Sequence, residues 1–134
     1  STMGLVRDIT LIAHFIGLAL IIGPFIVQMR AHSGYFFGWV LTGASVQLVT
    51  GLLLTGLAEM RLADDPDMSV NHAKIAVKTV LALIIFVVAV VAYRKQKKLA
   101  SGDNERKLLP LLHTAGALAI ANTVVAVVWS GVVR

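Results

Sequence analysis

Of 134 residues, 57% are hydrophobic and only 14% charged, against roughly 25% charged in a soluble domain, so the composition describes one membrane domain. There is no cysteine, which excludes disulfides, thiolate metal sites and iron–sulfur clusters. The formal charge of +5 would suit nucleic acid, but Arg94, Lys95, Lys97, Lys98, Arg106 and Lys107 gather beside an apolar segment. There they meet anionic lipid headgroups, and no nucleic-acid partner is expected.

Ser1-Thr2 reads as an addition before a Met3-Gly4 start, and the first apolar segment as a retained span, since it ends without a small-x-small cleavage site. Four apolar segments follow one another, at residues 5–28, 34–57, 72–93 and 108–133. At ~1.5 Å per residue each is long enough as a helix to cross ~30 Å of hydrocarbon. Strict alternation is missing, which argues against a β-barrel. Short connections at 29–33, 58–71 and 94–107 predict an all-α membrane protein, four transmembrane helices in an antiparallel up-down-up-down bundle. The basic residues fall on the side of the first and third loops, while Glu59, Asp64, Asp65 and Asp67 mark the other. Positive-inside then expects a multi-pass protein of the cell (inner) membrane with both termini outside.

The first span carries Asp8 near its start, His14 well inside and Gly23-Pro24 further on, where a proline kinks a helix for packing. In the second, Gly43, Gln47, Gly51 and Thr55 share one face, a close-packing seam with an amide in it, and Thr50 lies nearby. The acidic loop around Asp64-Asp65-Pro66-Asp67 lacks the glycine and glutamate of a calcium loop and reads as a solvated turn, with Asn71 capping the next helix. The third span opens with His72, Lys74, Lys78 and Thr79. Its two lysines share a face and either snorkel to the headgroups or point into a polar interior. In the fourth, Ala115, Ala119, Asn122 and Ala126 form a second small-residue face, with Thr123 beside it. Trp39, Tyr93 and Trp129 read as interfacial anchors.

Depth along the helices decides which polar groups can meet. By rise per residue, His14, Gln47, Asn122 and Thr123 lie within about 4 Å of mid-membrane, and Thr50 and Lys78 about 7 Å away on the same side. Lys74 and His72 lie nearer that interface, and His113 is separated from His14 by about 15 Å along the axis. A haem held between His14 and His113 is therefore disfavoured, whereas His14 with Lys78, or with an inward-reaching Lys74, remains open. His14, Lys74, Lys78 and His72 are the candidate cofactor-binding residues, and His14 and His72 the candidate metal ligands. Gln47, Thr50, Asn122 and Thr123 form the expected polar interior. No catalytic constellation and no mid-span carboxylate is present.

Three short stretches carry a likeness. His14-Phe15-Ile16-Gly17 is followed by Pro24 and Arg30, His72-Ala73-Lys74-Ile75 opens the third span, and Asn104-Glu105 precedes Leu109-Pro110-Leu111-Leu112. In that order they resemble the four-span module of copper-resistance D-type membrane proteins and of the haem-binding membrane protoporphyrinogen oxidase of many bacteria. The resemblance implies a b-type haem or porphyrin between the helices, with His14 as a ligand and Lys74 as its partner near the tetrapyrrole.

Three functions compete. The first is a haem- or metal-binding protein with a redox or binding role. The second is a small channel or carrier, a homo-oligomer, passing an anion or small molecule along Gln47, Thr50, Asn122 and Lys78. The third is a non-catalytic accessory subunit that docks through the glycine and alanine seams.

Overall fold

A computed structural model describes residues 1–65, 67 and 69–129, with 132–133 as backbone. The elements are helix α1 (Thr2–Val27), helix α2 (Phe37–Asp64), strand β1 (Ser69–Val70), helix α3 (His72–Lys97), a 3₁₀ turn (Glu105–Leu108), helix α4 (Leu109–Val128) and strand β2 (Val132–Val133). All four long helices are apolar enough to cross a membrane, with mean hydropathy between 1.6 and 2.9. They form the all-α four-helix bundle expected from the sequence. At one end lie the α1–α2 and α3–α4 loops, here called the basic end; at the other, the terminal end, β1 pairs antiparallel with β2.

Local chemistry sets the helix ends. The Ser1 hydroxyl accepts from Gly4 N at 3.1 Å, and the Asn71 side chain accepts from Lys74 N at 3.0 Å, each satisfying a free amide of a first turn. Gly34 takes φ +69° in the turn between α1 and α2, so α2 begins at Phe37 and not at 34. It also runs past the expected end at 57 to Asp64, because Leu57 to Ala63 are mostly good helix formers whose charges reach water. α3 continues in the same way through the basic residues to Lys97. The fourth span ends as helix at Val128, short of the expected 133, since the backbone at Val132–Val133 turns into strand pairing. Its predicted residues Ser130 and Gly131 lie outside the described residues, as do Pro66 and Met68 of the acidic loop and Arg134.

Packing divides the bundle lengthwise. Ile21, Phe37, Val40 and Leu112 are its largest fully buried side chains, joined by Ile85, Ala89, Ala92, Ala115 and Ala119, and all lie toward the basic end. Toward the terminal end the buried side chains are polar: Thr10, Gln47, Thr50 and Lys74. Leu5, Ile9, Ile12, Leu52, Val80 and Val124 stand exposed on the outside, where only acyl chains suit them.

Glycines decide how closely helices approach. A Cβ on Gly43 would lie 2.5 Å from the Gly17 carbonyl oxygen, so α1 and α2 touch backbone to backbone there. A Cβ on Gly116 would overlap the Phe25 ring, which closes α1 against α4 at the basic end. Beside it the His113 ring meets Phe25 edge-on at 5.8 Å and donates from Nε2 to Met29 O at 2.9 Å.

Candidate functional site

In the terminal half, α1 and α2 deliver the first part of the site. His14 Nδ1 lies 2.6 Å from Thr50 Oγ1, and Gln47 donates from Nε2 to the His14 carbonyl. Thr50 Oγ1 also lies 2.6 Å from Val46 O, an acceptor only, which takes the hydroxyl proton. Nδ1 is then the donor in the His14–Thr50 bond, and Nε2 carries the free lone pair of the neutral ring. A Cβ on Gly51 would sit 3.8 Å from His14 Cε1, an ordinary van der Waals contact, so the ring packs along this face of α2.

α3 and α4 deliver the second part. Asn122 donates from Nδ2 to the Lys78 carbonyl at 3.2 Å, which fixes its amide and leaves the buried Oδ1 without a partner among the described residues. An orphaned buried acceptor costs roughly 1–3 kcal/mol, so it calls for a donor from elsewhere. The Lys78 amine likewise makes no hydrogen bond or ion pair among the described residues.

These groups line two spaces. An inner chamber of about 60 Å³ is lined by His14, Gln47, Gly51, Lys78, Thr79 and Asn122. A lateral groove of about 280 Å³ runs between α1 and α4 and shares His14, Gln47, Lys78 and Asn122 with the chamber, adding Phe15 and Thr123.

The structure thus brings together His14, Thr50, Gln47, Lys78 and Asn122, with Thr123 on the groove wall. It does not bring in the other two candidates. Lys74 is 9% exposed and donates from Nζ to Ala126 O at 2.9 Å, holding the last turn of α4. His72 is exposed at the terminal end and donates from Nε2 to Glu59 Oε1 at 2.6 Å. His32 is exposed on the α1–α2 loop, and His113 serves the closure at the basic end.

No family model, curated protein or solved structure matches this chain. The site must therefore be judged on its own residues. Among the described residues no group of three or more His, Asp or Glu side chains converges as a metal site, and His14 and His72 belong to different environments. His14 Nε2 is a sound donor for an iron. However, Lys74, the partner that the resemblance implies, is committed to Ala126 O. A haem held between His14 and Lys74 does not fit this arrangement.

Sequence reasoning missed a second polar cluster, at the basic end. Gln28 donates from Nε2 to Gly34 O at 2.9 Å and accepts from Phe36 N at 2.8 Å. Glu105 accepts from Tyr35 N at 3.1 Å, and Gln96 donates to Tyr35 O at 2.7 Å, so both loops of that end are tied together. Burial pushes the Tyr35 phenol up from its usual pKa; the Arg106 charge opposes this and Glu105 adds to it. The available signal was an amide at each of two span ends, Gln28 and Gln96, beside the glycine turn at Gly34. These groups satisfy one another, and the cluster is structural.

Proposed function

We infer that this is a small membrane protein that binds a ligand in the chamber between His14, Lys78 and Asn122. The observation that supports this is convergence: His14 and Lys78 line one chamber with Nε2 and Nζ free of partners among the described residues, about 4 and 7 Å from mid-membrane by helix count. Ionisable groups at that depth are costly, at about 2.5–3.5 kcal/mol for a central lysine, and a ligand that pairs with them offsets the cost. Positive-inside places the site in the outer half of the cell membrane, with the 94–107 loop on anionic headgroups.

The test combines an absorption spectrum, before and after dithionite, with thermal unfolding in detergent. The protein should be colourless, and carboxylate ligands should raise its unfolding midpoint in the native chain but not in Lys78→Met. Saturation at a hundred times Kd is worth about 2.7 kcal/mol. A Soret band that His14→Ala removes would overturn this reading in favour of the haem that the resemblance implies. No stabilisation by carboxylates of any length would also sink it. A second reading, an anion path through a homo-oligomer, is favoured by the unpartnered Lys78 amine alone. It requires anion flux in liposomes that Lys78→Met abolishes.

A further inference from the structure

The groove joins two kinds of residue that a closed bundle keeps apart. Phe15, 59% exposed, stands on the outer surface where a spanning helix faces acyl chains. Val127, 79% exposed, does the same on α4. Gln47 and Lys78, from the two helices on the far side, line the same groove. The space therefore runs sideways from the hydrocarbon to the polar groups. At the basic end the same seam is shut by Phe25 on Gly116 and by His113 on Met29 O.

From this, and resting on the reading of the chamber as a ligand site, we propose that the ligand is a long-chain carboxylic acid that enters sideways from the bilayer, its chain in the α1–α4 groove and its head against Lys78 and His14. The chemistry at the two ends of the cavity makes the assignment. Along the groove Leu11, Phe15, Leu18, Leu54 and Val127 offer an apolar wall for a chain. At its inner end the Lys78 amine has donors without acceptors, which a carboxylate supplies. His14, held by Thr50 through Nδ1, presents Nε2 to take the proton that the acid gives up. The acid O–H bond breaks, an Nε2–H bond forms, and the carboxylate lies between an ammonium and an imidazolium. A neutral acid moves through lipid cheaply, and a chamber of about 60 Å³ suits a small planar head.

The experiment titrates delipidated full-length protein in nanodiscs with cis-parinaric acid, its methyl ester and acetate, reading fluorescence for the first two and thermal stabilisation for all three. The acid should bind at least tenfold tighter than its ester. Lys78→Met should remove that difference, while Lys78→Arg, which keeps the charge, should retain most of it. Val127→Trp, which fills the mouth and spares the chamber, should weaken the long acid at least tenfold and leave acetate unchanged. Equal binding of acid and ester, or a Val127→Trp variant with native affinity for the long acid, overturns the proposal. If acetate stabilises the protein as well as the long acid does, with the same dependence on Lys78, the proposal falls and the chamber reading stands. If no carboxylate binds, both fall. Helical circular dichroism and a single size-exclusion peak qualify each variant.

Discussion

Thr50 has one proton to give and two neighbours at 2.6 Å, Val46 O and His14 Nδ1. Since the carbonyl can only accept, the hydroxyl acts as donor to the helix and acceptor from the imidazole, which orients the ring. Nitrogen-15 spectra of histidine-labelled protein should show His14 protonated at Nδ1 in its neutral form. Thr50→Val should lose that signature and cost about 1–3 kcal/mol by leaving a buried N–H unpaired. A His14 found protonated at Nε2 alone would contradict this arrangement. Most of the site was legible at this scale, because depth along an ideal helix already grouped His14, Gln47, Thr50, Lys78 and Asn122. The fate of Lys74 was not. Its partner is the backbone carbonyl of Ala126, and a carbonyl made available at a helix end leaves no mark in side-chain pattern.

Helix faces could be read from the sequence, but not what each face meets. The Gly43–Gly51 and Ala115–Ala119 faces follow from spacing alone. That Gly43 packs on Gly17, and that Gly116 receives Phe25, depends on how neighbouring helices are shifted along one another, which periodicity does not encode. Two glycines give opposite expectations. Gly116→Ala should destabilise by about 1–3 kcal/mol, because Phe25 must leave its place. Gly56→Ala, where a Cβ meets nothing within 4 Å, should stabilise α2 by up to about 1 kcal/mol. Unfolding in graded sodium dodecyl sulfate, followed by circular dichroism, separates the two. Helix ends were least legible where charge and helix propensity disagree, as at Glu59, Arg61 and Asp64, which end a membrane span without ending a helix.

For the whole molecule, the number of spans was legible because hydrocarbon thickness sets a minimum apolar length. The division into an apolar half and a polar half was not, since it arises only when four helices are aligned in space. A sidedness experiment is simple in a chain without cysteine. Ala63→Cys and Ser101→Cys sit exposed at opposite ends of α3, so a membrane-impermeant maleimide on intact cells should reach one and not the other. Positive-inside expects label at Ala63→Cys, and at Ser101→Cys only after permeabilisation. Equal labelling of both from outside would refute the spanning topology.

In the terminal half the helices are joined in chain order, α2 to α3 by the chain itself and by His72 on Glu59. α1 is joined to α2 through Gly17, Gln47 and Thr50, and α3 to α4 through Lys74 and Asn122. Mechanically the seam between α1 and α4 is the one that no chain connection closes, and Phe25 on Gly116 pins it at the basic end. The imidazole rides on α1, one lip of that seam, and the amine on α3 across the bundle, so a guest that bridges them ties the lip to the far wall.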